Sequence, residues 1–271
     1  MTQPERLEFL IKYLLSERKE YADVRVPEGE EERRYLLRSL MNVRTPEPIG
    51  ADFLAVQDEY LRAELAKRRT VRPDELPEAE PGIRLYQGDI TALGADAIVN
   101  AANSGLTGCY IPCHGCIDNA THSAAGVQLR LECAALMSEQ GREEPPGGAK
   151  ITKAYNLPAK YVLHTVGPIV RGAPTLRDCE LLESCYRSCL ELAEEHELKS
   201  VAFCCISTGE FCFPNRPAAE IAVNTVREYL SGRGGNMEVI FNVFKDKDYE
   251  IYRELQVGGQ AVLGRQNLYS T

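Results

Sequence analysis

Residues 107–122 read TGCYIPCHGCIDNATH, which crowds three cysteines and two histidines into one short stretch. Within it, Cys109, His114 and Cys116 form a C-x4-H-x-C pattern. Thiolate and imidazole are the preferred ligands of zinc, and three protein ligands leave a fourth position open, the stoichiometry of a catalytic site. Ligands gathered in one short loop also need little ordering of distant chain. Two other readings stay open at this point. Cys113 and Cys116 have the C-x-x-C spacing of a dithiol redox pair. Such a pair usually opens a helix after a strand, however, and the preceding SGLTGCYIP reads as loop. The segment also fits a buried loop that uses cysteine as a small hydrophobe. Cys113 as a fourth ligand would require neighbouring residues 113 and 114 to aim at one ion, which is sterically awkward. His122, at the start of a following helix, reads as a cap or as a hydrogen-bonding support for the ligands. His164, inside the apolar run YVLHTV, reads as a satisfied core histidine.

Three further loops carry residues suited to a nucleotide. In GDITAL (88–93), Asp89 could accept hydrogen bonds from an exocyclic amine, or cap a turn. In NAANSGLTG (100–108), asparagine offers the donor and acceptor that a ribose hydroxyl pair needs, and equally suits a tight turn. In CISTGEFCFPN (205–215), a strand leads into a glycine-containing loop and then a helix near Pro214. Backbone N–H groups there would cradle a phosphate without a basic side chain. A plain strand-to-helix connection is the alternative.

Something must hold these loops together. From Ile83 onward the chain alternates β-rich runs (IRLYQ, DAIVN, ITKAY, YVLHTV, SVAFCCIS, MEVIFNVF) with helical patterns near 123–139, 176–196 and 216–231. Several runs are apolar almost throughout, as expected of strands buried on both faces. The alternation predicts an α/β sandwich around a largely parallel sheet, with ligands at the carboxyl ends of the strands. Ahead of it, helical stripes are expected through Leu7, Leu10, Ile11 and Leu14, through Leu36, Leu37, Leu40 and Met41, and through Phe53, Leu54, Tyr60, Leu61 and Leu65. Breaks at Pro27 and at Pro46 to Pro48 separate them. The acidic, proline-bearing VRPDELPEAEPGI reads as a connector ending near Gly82.

The 271 residues, 44% hydrophobic and 26% charged, suit one large domain, or one domain plus an accessory piece. No run reaches the ~20 apolar residues that span a bilayer, and the N-terminus lacks a signal pattern, so no membrane association and a cytoplasmic location are expected. Net charge is −9 and spread along the chain, without the basic footprint of a nucleic-acid binder. In a reducing compartment the clustered cysteines among the ten favour metal or catalytic use over disulfides. Cys185, Cys189, Cys204 and Cys205 lie in apolar runs and read as buried hydrophobes.

Taken together and in order, GDIT, VNAAN, HTVGP and ISTGEFCFPN resemble the macrodomain family over roughly residues 82 to 260. The crowded loop resembles the G-C-x-x-P-x-H-x-C-I-D-N signature of its zinc-dependent, sirtuin-associated subclass, matched by Gly108, Cys109, Pro112, His114, Cys116, Ile117, Asp118 and Asn119. Cys113 falls at a variable position, so the resemblance implies that it is not a ligand. It implies a three-layer α/β/α fold over 76–271, with a central mixed, largely parallel sheet, preceded by an N-terminal helical extension over 1–75. The N-terminal helices resemble the extension of that subclass, and a packed accessory layer, a substrate rim or a partner contact are its candidate roles.

The resemblance further implies binding of ADP-ribose and removal of mono-ADP-ribose from modified proteins, with Zn2+ at Cys109, His114 and Cys116. Asp89 would receive the adenine amine beside the Ile90 backbone, and Asn103 would hold the distal ribose. Ser207, Thr208, Gly209, Glu210 and Phe211 would wrap the diphosphate, and Phe244 would stack on adenine. Asn103 and Asp118 are the candidate catalytic residues, Asp118 either deprotonating the attacking water or steadying the ligands. Hydrolytic macrodomains with a G-G-V-D loop lack the metal-binding insertion, so their water-activation scheme does not transfer whole. Whether zinc binds that water or a ribose hydroxyl stays open. A reader module without turnover and an O-acetyl-ADP-ribose deacetylase are the rival functions. By resemblance, the partners are an ADP-ribosylated lipoyl-carrier protein and a sirtuin-type ADP-ribosyltransferase.

Overall fold

The apolar strand runs and the helical stripes between them assemble into a seven-stranded sheet flanked by helices. The computed structural model describes the backbone of residues 1–233 and 237–266, so the end of the expected second unit, 267–271, lies outside the described residues. Three helices come first: α1 (Gln3–Ser16), α2 (Glu30–Val43) and α3 (Ala51–Ala66). A capping box starts α1, with the Thr2 hydroxyl accepting from the Glu5 N–H and the Glu5 carboxylate accepting from the Thr2 N–H. The three apolar stripes meet in a small core that includes Leu7, Leu10, Ile11, Leu14, Leu37 and Phe53.

The strands are β1 (Glu78–Glu80), β2 (Ile83–Gln87), β3 (Ala97–Ala101), β4 (Ala149–Lys153), β5 (Tyr161–Thr165), β6 (Ser200–Phe203) and β7 (Glu238–Val243). Across the sheet they run β1-β2-β7-β6-β3-β5-β4. The five central strands are mutually parallel, and β1 and β4 are antiparallel edges. β3, β6 and β7 are buried almost end to end. Strands without an exposed face need cover on both sides. That cover comes from α4 (Ile117–Ala125), α5 (Val127–Gln140), α6 (Leu176–Glu195), α7 (Asn215–Arg233) and α8 (Asp246–Gln266). The helices α6, α7 and α8 pack in series, while α4 pairs with α5 and lies against α2. The expected three-layer α/β/α arrangement holds.

Parallel strands end at one edge of the sheet, so the loops after β2, β3, β5, β6 and β7 converge there. Backbone bonds stitch them together: Gly88 N–H to the Val243 carbonyl (2.9 Å), Ala102 N–H to Thr165 (2.9 Å) and Val170 N–H to Phe211 (2.8 Å).

Some expectations shift. The connector contains a short 3-10 turn, Pro73–Glu75, and the edge strand β1. Apolar periodicity could not register β1, because its anchor is an ion pair from Glu80 to Arg227 on α7. The helix expected near 123–139 is two helices, α4 beginning earlier at Ile117 and breaking at Gly126, whose φ is +98°. The strand expected through SVAFCCIS stops at Phe203. Phe244 lies just past the end of β7. Among the described residues no helix is long and apolar enough to cross a membrane.

Candidate active site

The loop between β3 and α4 brings the ligating atoms of Cys109, His114 and Cys116 within 4.8 Å of one another. Cys109 Sγ lies 3.6 Å from His114 Nδ1. A tetrahedral zinc with bonds of about 2.3 Å to sulfur and about 2.0 Å to nitrogen separates two such ligands by about 3.6 Å, so the donor set and its spacing fit that ion. Cys116 is the N-cap of α4, where its Sγ accepts from the Asn119 N–H at 3.4 Å. Burial first, and the neighbouring Cys109 sulfur second, push the Cys116 thiol up to about 11.

Cys113 stands outside the cluster. It has a left-handed backbone (φ +50°), and its Sγ turns to α2, 3.3 Å from Ser39 Oγ. That orientation matches neither a fourth ligand nor a paired dithiol, and all ten cysteines are free. His114 Nε2 faces outward, 3.6 Å from the Glu210 carboxylate in the loop after β6.

Behind the cluster lies a buried polar chain. In the first turn of α4, Asp118 accepts from Asn100 Nδ2 (2.8 Å) and from Asn103 Nδ2 (3.2 Å). Burial raises its carboxyl to about 6, against the Asn100 hydrogen bond and Arg130, which lower it. Asn100 also donates to His164 Nδ1 at 3.2 Å, which leaves Nε2–H to donate to Thr152 Oγ1 at 2.9 Å. His164 is thus the satisfied core histidine expected, and burial holds its pKa down to about 3. Cys133 and His122 crowd the same place. His122 is no cap: it sits in the last turn of α4, fully buried, with both ring nitrogens lacking a hydrogen-bond partner and Nε2 3.5 Å from Asp118. Burial, then the nearby His164, keeps it neutral well below the usual histidine range.

Asn103 closes a tight turn, one of the two readings of its loop. Its Oδ1 accepts from Gly105 N–H (3.0 Å) and closes a turn, while Nδ2 donates to the Gly108 carbonyl (3.1 Å) and to Asp118. One lone pair of Oδ1 is left to face a ligand. Asp89 is a cap as well as a candidate amine acceptor: Oδ1 accepts from Thr91 N–H (2.9 Å) and Oδ2 pairs with Arg68 (2.7 Å). It begins the short 3-10 turn Ile90–Ala92, with the Ile90 side chain buried beneath.

In the loop after β6, Ser207 and Cys212 both take positive φ (64° and 57°), bending the chain back so that Phe213 N–H reaches the Ser207 carbonyl at 2.9 Å. The Thr208 hydroxyl donates to the Cys205 carbonyl at 3.0 Å, inside the loop. Among the described residues, the N–H groups of Gly209, Glu210 and Phe211 donate to no protein acceptor, and the buried Ser207 hydroxyl has no partner. Unpaired N–H groups gathered in one tight loop are donors suited to an anion. Phe244, 75% exposed, stands at the same edge after β7.

Sequence reasoning missed Asn100, Arg130 and the α2 residues that touch the loop. Arg130 carried a signal: it lies three residues from both Val127 and Cys133 on the buried face of α5.

The sequence model of the family described as Macro domain matches residues 99–222. The chain is 54% identical over 259 residues to a Protein-ADP-ribose hydrolase of Treponema medium, covering 94% of this chain and 99% of that one. It is 49% identical over 250 residues to a Protein-ADP-ribose hydrolase of Staphylococcus aureus (strain MSSA476), covering 92% and 94%. Among solved structures, a Trypanosoma brucei macrodomain in complex with ADP-ribose superposes with a TM-score of 0.64 at 33% identity, covering 80% of this chain and 94% of that chain.

Proposed function

The chain belongs to the Macro domain family, and from that premise we propose that it is a zinc-dependent hydrolase that removes mono-ADP-ribose from modified proteins by cleaving the bond at C1 of the distal ribose. The observation that carries this reading is the convergence of Cys109, His114 and Cys116 beside Asn103 and Asp118, at the edge where the parallel strands end. The relatives named protein-ADP-ribose hydrolases support the reaction class. Zinc held by the three ligands would supply Lewis-acid polarisation of an oxygen at the sugar. The other roles fall to the chain's own groups. The N–H groups of Gly209, Glu210 and Phe211 and the Ser207 hydroxyl bind the diphosphate without any cation in that loop. Asp89 and the exposed ring of Phe244 receive adenine. Asn103 presents its remaining Oδ1 lone pair to a ribose hydroxyl, and Asp118 fixes the Asn103 amide from below. Hydrolysis joins one water oxygen to C1, and a hydrogen of that water goes to the departing side chain.

A protein carrying labelled mono-ADP-ribose tests this. Release of free ADP-ribose by the native chain, lost on chelation and on Cys116→Ser and restored by zinc to the native chain alone, is the expected result. Label retained in the protein fraction would indicate a reader, and acetate release from O-acetyl-ADP-ribose alone would indicate the deacetylase. Full turnover by folded, metal-free protein would refute the role of zinc.

A further inference from the structure

We propose that α2 is part of the metal site, with Arg38 as the positioning residue that holds the ligand loop in shape; the inference rests on the metal reading above. Arg38 Nη2 donates to the His114 carbonyl (3.2 Å), and Nη2 and Nε both donate to Asn119 Oδ1 (2.7 and 3.2 Å). Asn119 in turn donates from Nδ2 to the Ile111 carbonyl (2.9 Å) and from its backbone to Cys116 Sγ (3.4 Å). A single guanidinium therefore grips the backbone of one ligand and the side chain that ties residue 111 to another.

One turn further along α2, Asn42 Oδ1 accepts from the Cys113 N–H at 2.9 Å, and its Nδ2 donates to Ser123 on α4, also at 2.9 Å. The first bond pins the one residue of 109–116 with a left-handed backbone, a conformation that costs a side-chain-bearing residue energy unless its surroundings impose it. The carbonyls at the end of α2, of Met41, Asn42 and Arg44, all accept from Arg130. The Arg130 guanidinium lies 4.3 Å from the centre of the Tyr110 ring, next to Cys109. Each ligand is thus braced from α2: Cys109 through Tyr110 and Arg130, His114 through Arg38, and Cys116 through Asn119.

The division of labour along the helix supports this. Leu37, Leu40 and Met41 belong to the core of the N-terminal helices, whereas Arg38, Ser39 and Asn42 face the ligand loop. Loop 108–116 contains two glycines and no regular secondary structure. Left to itself it would pay its ordering entropy when the metal binds, and partners that order it beforehand raise affinity by removing that cost.

The test uses the full chain as wild type, Arg38→Met, Arg38→Lys and, as a control among the same helices, Arg6→Met, which removes the surface pair with Glu59. Three quantities are measured: zinc affinity by competition with a chromophoric chelator, amide exchange of residues 109–119 in metal-free protein, and ADP-ribose affinity of metal-free protein. Arg38→Met should lower zinc affinity at least ~10-fold, in line with the effect of removing partners that orient metal ligands. It should also speed exchange in the metal-free loop and leave ADP-ribose affinity at the wild-type value. Arg38→Lys should fall between, because one ammonium reaches a single acceptor where the guanidinium fork reaches two. Arg6→Met should match wild type throughout. Arg38→Met with wild-type zinc affinity and wild-type loop exchange overturns the inference. A wild-type chain that takes up no zinc would bring down the metal reading itself, and this inference with it.

Discussion

Gly167, in the loop after β5, offers a way to strain the loop proposed to hold the diphosphate without substituting any of its donors. A methyl group there would place its carbon 2.0 Å from Ser207 Oγ, 2.9 Å from Ile206 Cγ2 and 3.3 Å from Ser207 Cβ. Rotating the Ser207 hydroxyl relieves the first contact only. Ile206 is fully buried and cannot retreat, so the two loops must part by several tenths of an ångström. Overpacking of this kind costs about 1–3 kcal/mol. The displaced segment leads directly into the N–H groups of Gly209, Glu210 and Phe211. Strain of that size, if it is relieved by moving that loop, weakens ADP-ribose binding by about 5- to 150-fold, at ~1.4 kcal/mol per tenfold. Titration calorimetry of Gly167→Ala with ADP-ribose, with denaturant unfolding alongside, reads both effects. In the Ser207→Ala background the loss due to Gly167→Ala should shrink but persist, because Ile206 still blocks the methyl. Wild-type ADP-ribose affinity in folded Gly167→Ala would refute the reasoning that the clash is relieved by moving the loop that carries Gly209, Glu210 and Phe211.

Three other outcomes follow from the same geometry. His164 has a folded pKa near 3 against an ordinary value of 6.5, so between those limits the unfolded chain binds a proton that the folded chain refuses. Its contribution to stability therefore declines as pH falls below about 6.5, by about 2 kcal/mol at pH 5, and His164→Asn should flatten the difference between denaturant unfolding at pH 7.5 and pH 5 in metal-free protein by roughly that amount. An unchanged difference would count against the buried neutral imidazole. Phe244→Ala should weaken ADP-ribose binding by about 1–3 kcal/mol through lost stacking while leaving stability within about 0.5 kcal/mol, read by calorimetry and thermal melting. Leu10→Ala, in the small core of α1 to α3, should destabilise those helices by about 2–5 kcal/mol, read by denaturant unfolding followed at that core.

Much of the fold was legible because its signals are local. IRLYQ is β2 residue for residue, and the apolar run YVLHTV contains β5, since buried strands announce themselves by composition alone. The cysteine and histidine cluster was legible for the same reason, its three members lying within eight residues. The break at Gly126 was not legible. A Cβ there would meet Gln57 Nε2, from α3, at 2.6 Å, so the glycine answers to a residue far away in sequence. The strand β1 was hidden likewise, its Glu80 waiting for Arg227.

The sequence by itself determined the alternation of strands and helices, the cysteine and histidine cluster and the glycine-bearing loop after β6. All of these depend on neighbours a few residues apart. Only the tertiary structure decided that Asn100, Asp118, His122, Cys133 and His164, drawn from β3, α4, α5 and β5, would share one buried polar chain. Only it decided that Arg38 would brace a loop 76 positions away. Such contacts follow from strand order and helix packing, and a hydrogen bond between distant residues leaves no period in the chain that makes it.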